Sequence, residues 1–241
     1  MFSSKVSVII PLYNQSKQLM DCLASIKDQT IGEGVEVIIV NDGSTDITHS
    51  ELEQKVASCL MPTVSCRHQN NQGAPSARNN GYQGASGEYI LFCDADVVMM
   101  PLMLEAMAAV LDEHHDVSYA YSSFKFGWKT FTLWPFNPEK LKEMPYIHST
   151  SLVRRKALED AREDGAGPWD AAVERLQDWD LWLTLLEHGH AGQWIDMILF
   201  SVKPGGTMSA WMPALFTKIG FGKRYNDYKK AVEIIKKKHG L

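Results

Sequence analysis

The 241-residue sequence lacks the signatures of several common chemistries, and each absence narrows what the chain can do. No GxGxxG follows the first apolar run and no GxxxxGK[ST] occurs anywhere, which disfavours a dinucleotide Rossmann site and a P-loop. The four cysteines (Cys22, Cys59, Cys66, Cys93) have no CxxC or CxxH spacing, and the eight histidines form no HxxxH or HExxH. A zinc site of the familiar kinds is therefore not expected. The cysteines lie among apolar residues and read as small core hydrophobes in a reducing compartment. The longest apolar stretch, residues 97–111, is broken by Pro101 and Glu105 and is too short to span a bilayer. Residues 1–5 do not read as a secretory signal, so the expectation is a cytoplasmic protein. A net charge of -5 gives no electrostatic reason for nucleic-acid binding.

What remains is an ordinary globular composition, 45% hydrophobic and 22% charged, at the size of one generous domain. Apolar, β-branched runs alternate with helical periodicities over the first hundred residues. Residues 6–10 read as a strand stopped by Pro11, followed by Leu19, Cys22, Leu23 and Ile26 at helical spacing. Residues 35–40 are apolar apart from Glu36, as suits a buried parallel strand. They end in Asn41-Asp42-Gly43-Ser44, where Ser44 or Thr45 is expected to cap a helix running to residue 60. A third strand at 64–67, a short helix at 74–82 and a fourth strand at 89–93 complete a parallel α/β pattern. Further on, helices are expected at 102–111, 155–162 and 178–186, and extended segments at 117–126, 150–153 and 193–200. A final helix over about 213–239 reads as an appendage.

In open parallel sheets, ligands bind beyond the carboxyl ends of the strands. Three such ends carry polar residues: Pro11-Leu12-Tyr13-Asn14, Asn41-Asp42-Gly43-Ser44 and Asp94-Ala95-Asp96. Two carboxylates at i and i+2 past a buried strand suit a hard divalent cation, which can bridge a diphosphate. The same triplet alone also reads as an Asx-type turn ending a strand, and Asp42 alone as a turn residue.

Taken in order, these blocks resemble the family 2 glycosyltransferases with the GT-A fold. The resemblance rests on residues 8–14 and 37–46, on Asn71-Gln72-Gly73-Ala74-Pro75-Ser76-Ala77-Arg78-Asn79-Asn80-Gly81, on residues 87–96, and on Leu176-Gln177-Asp178-Trp179-Asp180. It covers roughly residues 5–190. It implies an α/β fold with a Rossmann-like, mainly parallel sheet flanked by helices. The domain would occupy 1–212, with residues 1–100 binding the nucleotide-sugar and 101–212 the acceptor, followed by a basic helical tail at 213–241. It implies inverting transfer of a sugar from a nucleotide diphosphate sugar, foremost a UDP-sugar, to an acceptor hydroxyl in surface or secreted glycan synthesis. Pro11, Tyr13, Asn14, Asp42, Arg78, Asp94, Ala95 and Asp96 would bind the donor. Asp96, with Asp94, would hold Mn²⁺ or Mg²⁺. Asp178 would be the general base, and Trp179 would line the acceptor side.

Two positions depart from the family pattern. Gln177 stands where a glutamate is usual, and Lys203 where a histidine is usual; a lysine there suits a diphosphate rather than a metal. Asp180 falls on another helical face and reads as structural. His148, Trp128, Trp134 and Trp169 are candidates for the acceptor side or for packing. The tail carries eight basic residues from Lys218 onward against Asp227 and Glu233. With Phe216, Ile219, Phe221 and Tyr225 it reads either as a solvated helix or as a peripheral contact with the inner face of a membrane, suited to a lipid-linked acceptor. The rival readings are a nucleotidyltransferase, disfavoured by Pro11-Leu12-Tyr13-Asn14 in place of a glycine-rich basic loop, and a non-catalytic nucleotide-sugar-binding subunit of a partner transferase.

Overall fold

The structure, a computed structural model, describes residues 4–59, 63–161, 167–204 and 222–241. Four strands form its parallel half: β1 (Ser4–Leu12), β2 (Val35–Asp42), β3 (Val64–Gln69) and β4 (Gly87–Phe92), in the spatial order β3-β2-β1-β4. The helices α1 (Ser16–Lys27), α2 (His49–Ser58) and α3 (Ala74–Gly84) connect them. Side chains alternate across the sheet, so Val6, Val8, Ile10 and Leu12 enter one core and Ile9 the other. Burial on both faces is why β1, β2 and β4 are largely apolar, whereas the edge strand β3 is more polar and only partly buried. Gly81 brings α3 close to the sheet: a Cβ there would sit 2.4 Å from Ile9 Cγ2.

The second half comprises β5 (Val97–Met99), α4 (Met103–Glu113), β6 (Tyr119–Phe126), β7 (Lys129–Phe131) and α5 (Pro138–Glu143). It continues with β8 (Leu152–Arg154), α6 (Arg155–Asp160), α7 (Gln177–Glu187), β9 (Gly192–Val202) and α8 (Gly222–Lys238). The full order is β3-β2-β1-β4-β8-β6-β9-β5, with β7 beside β6. β8 is antiparallel to both β4 and β6, and β5 is antiparallel to β9. The sheet is thus mixed: parallel throughout the crossover-connected first half and again between β6 and β9, with antiparallel pairs elsewhere in the second half.

Two boundaries differ from expectation. Pro11 does not stop β1, which reaches Leu12 with Pro11 opposite Val40. Pairing with β4 has ended at Ile9, so the missing proline N–H is not needed on that side. α2 is capped by Thr48, not Ser44 or Thr45: Glu51 N donates to Thr48 Oγ1 over 3.3 Å and Thr48 N to Glu51 Oε2 over 2.9 Å.

α8 packs against the domain through Ala231 and Ile235, which are buried. Phe216, Lys218, Ile219 and Phe221 lie outside the described residues, as do the side chains of Lys223, Arg224 and Tyr225. Among the described residues, no helix is long and apolar enough to cross a membrane.

Candidate active site

The ends of β1 and β2 are stapled by one asparagine. Asn14 takes a left-handed φ of 52°, which asparagine tolerates, and its Oδ1 accepts from Thr45 N at 2.7 Å. Its own N–H donates to Ser44 Oγ at 3.1 Å. Beside it Tyr13 is 49% exposed, and Pro11 is half-buried.

Asp42 is buried, and its carboxylate shapes the turn that leads into α3. It accepts from Gln69 Nε2 at 2.8 Å, from Gln72 N at 2.8 Å and from Gly73 N at 2.9 Å. About three of its four lone-pair directions are thereby filled, leaving room for a single further donor.

At the end of β4 the acidic triplet splits into three roles. Ala95, between the two acids, has its side chain fully buried in the core, so only its backbone is available to a donor. Asp94 meets Arg78, whose Nη2 donates to Oδ1 at 2.7 Å. Burial alone would push the Asp94 carboxyl up, but Arg78 and then His148 outweigh it and hold it below its ordinary value. Asp96 has no such cation: burial, then the Asp94 charge, push it up to about 7. An all-oxygen pair with one carboxylate short of positive charge fits a hard divalent ion such as Mn²⁺ or Mg²⁺. The Asp96 carbonyl also accepts from Lys203 N at 3.0 Å, which ties this loop to the end of β9.

Arg78 joins the two halves of the domain. Besides Asp94 it donates from Nη1 to Gln177 Oε1 at 3.2 Å, and its guanidinium lies 4.4 Å over the Trp169 ring. Asn79, next in α3, holds Trp169 from both sides, donating to its carbonyl at 2.7 Å and accepting from its N–H at 2.9 Å. Sequence reasoning missed Gln177 and Asn79 in these roles. Gln177 was seen only as a departure, although a neutral amide facing an arginine already engaged by Asp94 is a coherent partner.

α7 begins after Leu176, a non-glycine residue at φ 57°, and so presents Asp178 in its first turn. Asp178 is half-buried and its Oδ1 accepts from Trp179 N at 2.9 Å. Burial, opposed by that N–H and by Arg78 and reinforced by Asp94, places its carboxyl at about 6. A carboxylate at that value is ionised near neutrality yet basic enough to take a hydroxyl proton.

Trp179, expected on the acceptor side, has its side chain in the core. It is wholly buried and its indole N–H donates to the Leu141 carbonyl at 2.5 Å, because one residue along a helix turns the side chain about 100° away from Asp178. Asp180 is structural as expected, buried and paired with Lys238 at 2.7 Å and His239 Nε2 at 2.9 Å on α8 and its C-terminal turn. Lys203 ion-pairs with the exposed Asp21. His148 packs between Phe124 and Phe200 and is a core residue; burial holds its imidazole at about 4. Trp169 is buried under Arg78, Trp134 stacks on Tyr146, and Trp128 is 94% exposed. All four cysteines are free thiols.

A model of glycosyl transferase family 2 matches residues 7–162. An uncharacterized glycosyltransferase, YibD of Escherichia coli (strain K12), is 40% identical over 125 residues, 52% of this chain and 36% of its own length. S. aureus TarS 1–349, solved in complex with UDP-GlcNAc, superposes with a TM-score of 0.72 at 19% identity, covering 96% of this chain and 65% of that one. The mannosyltransferase PcManGT from Pyrobaculum calidifontis, solved with GDP-Man and Mn²⁺, gives 0.66 at 18% identity, covering 88% of this chain and 63% of that one. The chain thus spans about a third of the curated relative and under two thirds of the solved chains. Strand order, the acidic β4 end and the matched residues together make it a member of glycosyl transferase family 2.

Proposed function

We propose that this chain is an inverting glycosyltransferase that moves a sugar from a UDP-sugar to the hydroxyl of a glycan or lipid-linked acceptor. The observation that carries this reading is the double engagement of Arg78, which brings the β4 acids and the start of α7 to one place. Tyr13 and the Asp42 turn would take the nucleoside. Arg78 would stand beside the diphosphate, and Asp96 with Asp94 would hold the Mn²⁺ or Mg²⁺ whose charge offsets that of the leaving group. Asp178 would remove the acceptor proton from the opposite face. One base suffices for inversion, so no second carboxylate is needed as nucleophile.

The UDP-GlcNAc complex of TarS favours a uridine donor, and the GDP-Man complex of PcManGT makes guanosine the competitor. The outward face of α8, with Lys230, Lys237 and the 61%-exposed Ile234, suits contact with an anionic surface next to a lipid-linked acceptor. A melting-temperature panel of UDP, GDP, dTDP and CMP, each with and without Mn²⁺, tests the donor site. A nucleotide at 100 times its Kd adds roughly 2.7 kcal/mol, several degrees of Tm. Stabilisation by UDP only with Mn²⁺ supports the reading. No shift with any of the four overturns it in favour of a subunit that does not bind donor alone.

A further inference from the structure

We propose that His49, Glu53 and His68 form a second metal site, on the outer edge of the sheet, for a borderline divalent cation such as Zn²⁺, Ni²⁺ or Co²⁺. β3 is the edge strand, and α2 packs beside it. His49 and Glu53 stand one turn apart on the same face of α2, with His49 Nε2 3.6 Å from Glu53 Oε1. The half-buried His68 of β3 meets them, its ring edge-on to His49 with centroids 3.1 Å apart. One ligand atom from each of the three lies within 4.8 Å of the others.

Nothing in the donor site accounts for this cluster. His68 Nε2 is cut off from solvent and has no hydrogen-bond partner among the described residues. A cation shared by the three groups answers this, because it takes up the imidazole lone pair and sits beside the Glu53 carboxylate. The two candidate centres also differ in softness. The β4 acids offer oxygen alone and suit Mg²⁺ or Mn²⁺, whereas two imidazoles and one carboxylate suit Zn²⁺, Ni²⁺ or Co²⁺. Three protein ligands leave coordination positions for water. The ion would clip α2 to β3 one residue before Gln69, whose amide donates to Asp42, and so brace the nucleoside end of the cleft from behind. Simple motif spacing hides the site, because its ligands sit on two different elements.

Titration of Co²⁺ into the full chain, followed by its visible absorption, tests the assignment. We expect a saturable signal that persists in Asp96→Asn and weakens on the order of 10- to 100-fold or more in His49→Gln and in His68→Gln. Zn²⁺ should raise the Tm of the parent chain and not that of His49→Gln, an exposed helix position whose folding circular dichroism verifies. The proposal is overturned if the parent chain gives no saturable signal. It is equally overturned if the signal survives in both histidine variants or disappears only in Asp96→Asn.

Discussion

Arg78 and Asp94 meet at 2.7 Å with side chains only 7% and 28% exposed, so each is the main answer to the other's charge. Breaking such a pair leaves a carboxylate with partial solvation and no cation. Arg78→Ala is expected to cost about 3 kcal/mol of stability and to weaken donor binding more than roughly tenfold. Arg78→Lys keeps the charge but loses the fork that reaches Gln177, so it should recover stability better than turnover. Urea unfolding and nucleotide titration on the two variants separate these effects. The Asp94 carboxyl is lowered in the folded chain, so its contribution is present above the ordinary carboxylate range and is lost as pH falls through its folded value.

Asp178 behaves oppositely. Its folded value of about 6 lies above the ordinary 3.8, so the folded chain binds this proton more tightly and ionisation between those values costs stability. Asp178→Asn should therefore hold or raise the Tm near neutral pH while turnover falls on the order of 10²-fold or more. In the parent chain, kcat/KM should climb with pH and level off above about 6. A profile that is flat through that range would remove Asp178 as the base.

His239 couples α8 to the helix that carries Asp178. Burial lowers its imidazole, but Asp180 and Glu187 outweigh that and raise it above 6.5. A group raised on folding stabilises fully below its unfolded value and loses that contribution as pH rises through the folded one. The urea midpoint should thus fall as pH rises from below 6.5 through the folded value of His239, and His239→Ala should flatten this step. His190 is shifted down by burial and contributes at the acid end instead, so it does not mimic the effect.

Asp180→Asn should lower the Tm without abolishing donor hydrolysis, because Asp180 faces Lys238 and His239 rather than the cleft. Comparing it with Asp178→Asn in melting and hydrolysis assays distinguishes the two acids: one should lose heat tolerance, the other turnover.

The parallel half was legible because burial on both faces leaves continuous apolar runs, and because polar residues cluster where those runs stop. That logic pointed to Asp42, Asp94 and Asp96, whereas Asp178, on a helix, was implied only by the family resemblance. It could not tell that Asp42 spends its oxygens on the turn at residues 69–73, since the three donors become neighbours only after β2 and β3 pair. The burial of Trp179 and Ala95 was hidden for one reason: each adjoins an acid in sequence, and the backbone turns the adjacent side chain into the core. The docking of α8 was hidden as well, because the basic residues that suggested an appendage include Lys238, whose partners Asp170 and Asp180 lie far upstream.

Gly81 has a reach that its missing side chain conceals. It sits one turn beyond Arg78 in α3, where even a methyl group would collide with Ile9 Cγ2 in the middle of β1. Either Ile9 must leave its packed rotamer or α3 must ride up off the sheet, and the second lifts the guanidinium away from Asp94 and Gln177 together. The floor beneath the cleft is therefore as strict a determinant of its chemistry as the residues that face the sugar. A mutation that never touches a ligand would be felt first as a failure to grip one.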